Sequence, residues 1–136
     1  MIQEYKKSLL KEHKELLLKD LCARLPYGVK VHAKFIDTDT NTKVEKVGVL
    51  SMIDTDTVVA FSSDDINCYI YVTIHEVKPY LFPLSNLNKE QKKYIRDNYT
   101  FGATYELFDW FDKNHFDYRG LIEKGLAIDA TNLNIY

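Results

Sequence analysis

The feature that most constrains the fold of this chain is a change of hydrophobic period near its first proline. Residues 2–24 place apolar side chains at the three- and four-residue spacing of an amphipathic helix. Residues 29–35 then alternate apolar and polar side chains, which is typical of a strand with one buried face. Pro26 disfavours helix in the residue before it and Gly28 permits a sharp turn, so we predict a helix that ends here and leads into a sheet.

Further strand patterns follow, at residues 44–53, 58–61 and 66–74. The last is the clearest, because its apolar side chains alternate with Tyr69 and Tyr71. Short polar turns join these segments, so neighbouring strands are expected to pair as an antiparallel meander. Gly48 interrupts the second strand and indicates the bulge or bend that a small curled sheet needs in order to close.

The chain is expected to leave the sheet at its remaining two prolines. Pro79 and Pro83 cannot donate a hydrogen bond to a ladder, so residues 78–83 should form an extended crossing outside the sheet. Asn88 is then a good N-cap for a helix, with Gln91 three residues later as its capping-box partner. This helix is predicted to end near residue 98.

Two more helices are expected near the C-terminal end of the sequence. One should begin at Thr104, and a last short one should run from Asp117 as its N-cap to Gly125 as its left-handed end. The length of 136 residues fits one domain spanning residues 1–136. We therefore predict a single α+β domain with an N-terminal amphipathic helix, a small curled antiparallel sheet of four to five strands and C-terminal helices. An SH3-like barrel is one form that such a sheet could take.

Charge and cysteine content restrict the class of protein. The net charge of -2 argues against a broad basic field for nucleic acid, although a local basic stripe stays open. Cys22 and Cys68 lie in apolar patterns and are expected to be reduced core residues, as in a cytoplasmic protein. No apolar run reaches the roughly 18 residues of a membrane span, so no membrane association is expected.

Metal ligands lack the spacing that a metal site requires. The histidines have neither helical zinc-motif spacing nor a cysteine pair to complete a site, and they are His13, His32, His75 and His115. The pentapeptide Ile-Asp-Thr-Asp-Thr occurs at residues 36–40 and 53–57, and the first copy with Asn41 resembles the opening of a calcium loop. Thr42 and Gly48 stand where that loop needs its glycine and its glutamate, so both copies are interpreted as turns. We predict no metal and no cofactor.

Tyrosine is the main compositional excess, with 10 residues in the chain. Tyrosine and arginine are frequent anchors of protein interfaces, because they combine a large apolar area with polar tips. A dense run of aromatic and ionisable residues also lies near the end of the chain. We predict that a protein partner binds an aromatic surface built from Tyr69, Tyr71, Tyr80, His115, Tyr118 and Arg119.

Two other functions stay open from the residues alone. A nucleic-acid or nucleotide binder could use the wet strand face of Lys30, His32 and Lys34 as a phosphate path, with tyrosines of another strand available for stacking. A small hydrolase could instead use His115 as a base oriented by Asp117. In that reading Arg119 would hold an anion and Glu123 would be a second carboxylate.

Three ordered motifs give the chain a resemblance to a known group of proteins. They are Leu-Pro-Tyr-Gly-Val at residues 25–29, Glu-Val-Lys-Pro-Tyr-Leu at 76–81 and His-Phe-Asp-Tyr-Arg-Gly-Leu-Ile-Glu-Lys-Gly-Leu-Ala at 115–127. From Leu16 onward the chain resembles an uncharacterised family of small proteins from gut-bacterial genomes and their phages or mobile elements. Relatives often carry an arginine where this chain has Phe82. The resemblance implies a phage or mobile-element context and supplies no site residues. We expect a non-catalytic binding module, and the sequence does not specify its oligomeric state.

Overall fold

The computed structural model of the chain describes residues 2–54, 58–63, 68–99 and 104–136. Helix α1 spans Ile2–Arg24 and is followed by a 3-10 turn at Leu25–Tyr27. Gly28 has a left-handed φ of 66°, which glycine adopts without steric cost, and it turns the chain into the sheet. The predicted N-terminal helix and its stop are confirmed.

A mixed sheet follows α1 and contains the first four strands as an antiparallel meander. Its strands are β1 Lys30–Asp37, β2 Thr42–Ile53, β3 Val58–Ser62, β4 Tyr69–Thr73, β5 Val77–Pro83, β6 Phe116–Asp117 and β7 Ile128–Asp129. The strand order is β4-β3-β2-β1-β5-β6, with β7 also paired to β5. The α+β class and the meander are confirmed.

The extent of the sheet differs from the expectation of four to five strands. Residues 78–83 belong to strand β5, which pairs antiparallel with β1 and parallel with β6 and β7. An antiparallel ladder bonds only alternate residues to a given neighbour, so Pro79 is accommodated opposite Val31. Strands β6 and β7 have two residues each, too few to show a period in the sequence.

The sheet is open, so the expected barrel is not formed. Strands β4 and β6 lie at opposite ends of the pairing order, and among the described residues no pairing joins them. Gly48 is not the site of the bulge, because the register shift lies between Leu50 and Met52. A Cβ at Gly48 would collide with the backbone oxygen of Ser62, so close approach of β3 is the reason for glycine here.

The C-terminal helices agree with the sequence in two of three cases. Helix α2 spans Lys89–Asn98, and Asn88 and Gln91 form the predicted capping box with bonds of 2.9 and 2.7 Å. Helix α3 spans Thr104–Lys113. Residues 121–125 form hydrogen-bonded turns instead of a helix. Asp117 is not an N-cap, because its carboxylate accepts the N–H groups of Leu121 and Ile122, four and five residues ahead, where an N-cap accepts from two or three ahead. Gly120 has a left-handed φ of 76°, which interrupts the expected helix.

The core lies between α1 and the inner face of the sheet. Its fully buried apolar side chains include Leu21, Val29, Val31, Phe61, Ile74, Leu81 and Leu121. Cys22 and Cys68 were expected in this core, but both are exposed. Cys22 lies on the wet side of α1, and Cys68 lies just before β4, outside the alternating pattern. None of the helices in the described ranges combines the length and apolar character of a membrane span.

Candidate functional site

A buried group of ions joins α1 to the C-terminal part of the chain. We call Asp20, Arg24, Asp112 and Arg119 the charged corner. Asp20 and Arg24 lie one turn apart on α1 and are fully buried. Arg24 Nε donates to both oxygens of Asp20 at 3.0 and 2.9 Å, and its Nη2 donates to the carbonyl of Phe116 at 2.6 Å.

Arg119 completes the charged corner from 99 residues further along the chain. Its Nη1 donates to Asp20 at 2.7 Å and to Asp112 at 3.2 Å, while Arg24 Nη2 lies 3.7 Å from Asp112. Burial raises the pKa of Asp20, and the two guanidiniums oppose that rise. Two cations and two anions thus compensate one another away from water, as buried charges require.

Tyr118 covers one side of the charged corner. Its hydroxyl donates to Asp112 Oδ2 at 3.1 Å, and the Arg119 guanidinium carbon lies 4.3 Å from its ring centre. The ring stacks on Phe108 at 4.8 Å with an angle of 4°. Burial raises the pKa of Tyr118 to about 12, so the phenol stays a neutral donor at pH 7. The hydroxyl of Tyr118 is therefore already engaged by Asp112.

An open cleft lies directly above this arrangement, between α1 and α3. We call it the α1–α3 cleft; its volume is about 670 Å³. The cleft is lined by Asp112 and Arg119 of the charged corner and by Tyr118, which covers that corner. The two helices contribute Leu16, Lys19, Ala23, Tyr105, Phe108 and Asp109. The side chain of Tyr105 is 85% exposed. The cleft therefore has an accessible aromatic wall, with Lys19 on one helix and Asp109 on the other.

His115 does not form the arrangement that a hydrolase would need. Its ring stacks on Tyr136 with centres 3.7 Å apart, and burial with the nearby Arg24 and Lys30 charges lowers its pKa to about 4. Both oxygens of Asp117 accept backbone bonds, from the N–H groups of residues 121 and 122. Arg119 is bonded within the charged corner. Asp117 cannot orient His115 and Arg119 cannot hold an anion while these bonds are made.

Tyr80 lies beneath the C-terminal tail and is only 6% exposed, so it contributes no ring to an open surface. Its carbonyl accepts a 2.8 Å bond from the Tyr136 hydroxyl, which in turn accepts from the Lys30 N–H at 2.8 Å. Since Val31 pairs with Pro79, Lys30 and Tyr80 are the next opposed residues of β1 and β5. The Tyr136 hydroxyl therefore bridges the ladder where these two strands separate.

The predicted aromatic surface is divided between two ends of the molecule. Tyr69 and Tyr71 are 53% and 57% exposed on the edge strand β4. Tyr118 and Arg119 follow β6 at the other end of the strand order. Five strand-to-strand steps separate these edges, which is about 24 Å at about 4.8 Å per step. The structure therefore brings Tyr118 and Arg119 together in one cleft and leaves Tyr69 and Tyr71 on another surface.

The basic strand residues have partners of their own. Lys30 Nζ donates to the Ile135 carbonyl at 2.7 Å, and Lys34 lies 3.3 Å from Glu45. His32 lies 4.0 Å from the same glutamate. His32 and Lys34 also line a depression of about 320 Å³ with His75, Glu76, Lys78 and Ile128.

Sequence reasoning missed Asp20, Arg24 and Asp112. A signal for the first two was present, because positions 17, 20, 21 and 24 lie on one face of a helix. Charges four residues apart within an apolar stripe indicate a buried pair. Lys78 could have been found only from the register that places it opposite His32.

Neither possible metal ligands nor the repeated Ile-Asp-Thr-Asp-Thr segment forms a further site among the described residues. Within the described part of the chain, no three His, Cys, Asp or Glu side chains cluster as metal ligands. Asp37 accepts a 2.9 Å bond from the Asp39 N–H, as expected for a turn, whereas residues 55–57 of the second copy lie outside the described residues.

Comparison with known proteins found no matching family model, curated protein or solved structure.

Proposed function

We propose that this chain is a non-catalytic binding module that receives a segment of a protein partner in the α1–α3 cleft. The observation that carries the proposal is the mutual pairing of the charges beneath that cleft. Asp112 and Arg119 both line it, and both are already bound to each other and to residues of the charged corner.

The pairing argues for binding by shape and against chemistry. A general base or an anion clamp needs a group that can change partners during the reaction. Here Tyr118 donates to Asp112, and burial raises the pKa of Tyr118 to about 12. Changing any of these partners would leave a buried charge uncompensated, at a cost of several kcal/mol. The charged corner therefore serves as a rigid support for the aromatic walls.

The walls favour a protein segment as the ligand. Two helices with a gap between them form the kind of groove that accepts the apolar face of an amphipathic segment. Aromatic rings with an arginine beneath them have the composition of interface centres. Lys19 and Asp109 lie on opposite helices, so a segment with an acidic and a basic residue on its two flanks would be oriented in the cleft.

The resemblance to small proteins of gut-bacterial genomes and phages supplies the cellular context of the proposal. In that context the module would be encoded by a phage or mobile element and would act in the cytoplasm on a protein of the host cell. This context rests on the resemblance of the three ordered motifs, at residues 25–29, 76–81 and 115–127.

The test is a selection of peptides from a random library on the folded chain, followed by affinity measurements on a variant with a filled cleft. Ala23→Trp places a large ring in the cleft from α1, where Ala23 is partly exposed. We expect selected peptides to lose at least about tenfold in affinity for both variants, because the Trp side chain of Ala23→Trp occupies the cleft and Tyr105→Ala removes part of its wall.

The matched control is Tyr94→Ala on α2, which removes a tyrosine that is 46% exposed and does not line the cleft. Peptide affinity should change less than about twofold in this control, as expected for a residue outside the interface. Equal binding to the wild type and to Ala23→Trp, or an absence of enriched peptides, would contradict the proposal. Circular dichroism of each variant distinguishes lost binding from lost folding.

A further inference from the structure

We propose that the outer face of the sheet is a binding site for single-stranded nucleic acid, independent of the α1–α3 cleft. The outer face consists of the side chains of β1 to β5 that point away from α1. The strand register defines it, because directly opposed residues of paired strands point to the same side. His32 is opposite Val47 and Lys78, while Ala60 is opposite Met52 and Tyr71.

The parity of the pairing places the tyrosines and the basic residues on one face. Val31 and Val59 belong to the buried core on the inner side, so their chain neighbours point outward. The register from β1 to β4 shows which outward residue of each strand is opposite an outward residue of the next. The exposed rings of Tyr69 and Tyr71 therefore share a face with His32 and Lys34 of β1.

The charge of this face is opposite in sign to that of the whole chain. Outward positions of β1, β2 and β5, with the turn before β5, carry four lysines and two glutamates. These are Lys30, Lys34, Lys43, Lys78, Glu45 and Glu76. The formal charge is +2 before any histidine is protonated, whereas the chain as a whole carries -2. A polyanion is thus attracted to this face and repelled by the remainder of the surface.

Both acidic residues of the face have partners within the chain, since Glu45 lies 3.3 Å from Lys34. Glu76 Oε1 accepts bonds from both the N–H and the hydroxyl of Thr73, each at 2.9 Å. Lys78 and His75 line the depression beside β1 together with His32 and Lys34. This depression provides several donors for phosphate oxygens at one edge of the tyrosines' face.

The exposed rings make a platform suited to bases. Tyr69 and Tyr71 are two residues apart on a strand, so their rings are spaced by about 7 Å. Met52 is 37% exposed and Val47 is 41% exposed between these rings and the basic depression. Stacking on aromatic side chains beside a basic groove is the usual way to bind single strands, since unpaired bases offer their faces. A duplex keeps its bases stacked internally, so it would gain only the phosphate contacts.

The test is fluorescence anisotropy of a labelled oligothymidylate of about 12 nucleotides, a length within the usual range of single-strand sites. We expect saturable binding that weakens with salt, with a slope of log K against log salt near about -1.4 for two phosphate contacts, from Lys34 and Lys78. The Tyr69→Thr/Tyr71→Thr double variant keeps strand propensity and should weaken binding by about tenfold or more. Lys78→Gln should weaken binding and reduce the salt slope.

The matched controls are Tyr94→Thr and Lys92→Gln on α2, both exposed and outside the sheet. Each should change the affinity less than about twofold. Absence of saturable binding, equal binding of a duplex of the same length, or loss in the controls as large as in the β4 double variant would overturn the proposal. The filled-cleft variant Ala23→Trp should bind the oligonucleotide normally, which separates failure of this site from failure of the cleft.

Discussion

The charged corner and the outer face of the sheet use similar residues in opposite ways. In the corner, Tyr118 and Arg119 bond to neighbours within the chain, and the side chain of Arg119 is only 13% exposed. On the outer face, Tyr69 and Tyr71 are more than half exposed. Both regions are rich in the aromatic and basic residues that suggest binding.

The two regions differ because a distant part of the sequence covers one of them and not the other. Arg119 finds Asp20 from 99 residues away, so its neighbours in the sequence do not reveal whether it is paired. Tyr71 points to the outer face of strand β4, and its side chain is 57% exposed. A residue type common in interfaces is thus a buried support in one region and an exposed side chain in the other.

The largest effect is expected from breaking the charged corner. Asp20→Ala leaves the guanidinium of Arg24 buried without its main partner, and Arg119 loses its shortest bond. We expect the free energy of unfolding to fall by about 3–5 kcal/mol. Urea denaturation measures this loss.

A double variant tests whether Asp20 and Arg24 stabilise the fold as a pair. In Asp20→Leu/Arg24→Met both charges of the helical pair are replaced by apolar side chains of similar size. The loss should be clearly smaller than the sum of the single variants, because no orphaned charge remains in the pair. Additive losses would contradict the pairing that the corner shows.

The next largest effect is expected at the tail that covers Tyr80. Tyr136→Phe removes the hydroxyl that bridges Lys30 N–H and the Tyr80 carbonyl. We expect a loss of about 1–3 kcal/mol, since two backbone groups lose their partner. Tyr105→Phe is the control, because that hydroxyl belongs to a side chain that is 85% exposed. Thermal unfolding that is equally lowered by both changes would count against the bridge.

A pH dependence is expected from His115. Its pKa is lowered to about 4 by burial and by the nearby cations, whereas the unfolded chain has the ordinary value of about 6.5. The unfolded state therefore binds the proton first, and stability present above pH about 6.5 is lost as the pH falls towards about 4. Melting temperatures should decline between pH 7 and 5, and less so in His115→Asn.

Asparagine is the suitable replacement at this position. His115 has a left-handed φ of 65°, and asparagine tolerates that conformation better than most residues do. The comparison uses the slope of melting temperature against pH, so a uniform loss from the missing stack on Tyr136 does not affect it. An unchanged slope would show that another group is responsible.

The smallest effect on stability is expected at β4. Tyr69→Thr and Tyr71→Thr remove exposed rings but keep β-branched side chains in the strand, so each should change stability by no more than about 0.5 kcal/mol. A much larger loss would show that these rings support the sheet. The contrast with Asp20→Ala is the clearest stability test of the difference between the two regions.

Much of the fold could be predicted from local patterns. The helical period of α1, the alternation in β1 and β4 and the cap at Asn88 all act within a few residues. Strand β5 was missed because two prolines made it resemble a crossing, and its tolerance of Pro79 depends on its register with β1. Strands β6 and β7 form only because β5 offers an edge to two residues of each.

The candidate sites were harder to predict for the same reason. Tyr118 and Arg119 were chosen for their residue types, yet their surroundings come from α1 and α3. Tyr80 was included because tyrosine is common at interfaces, but the C-terminal tail covers it. Only Tyr69 and Tyr71 lie on a surface that alternation along one strand could indicate.

The most direct test of the binding role of the cleft is an amide NMR titration of the folded chain with a selected peptide. We predict chemical-shift changes concentrated at residues 16–23 of α1 and 105–112 of α3, with the signals of β4 unchanged. Shifts concentrated on β4, or spread evenly over the sheet, would contradict the division of the molecule into a supported cleft and a separate outer face.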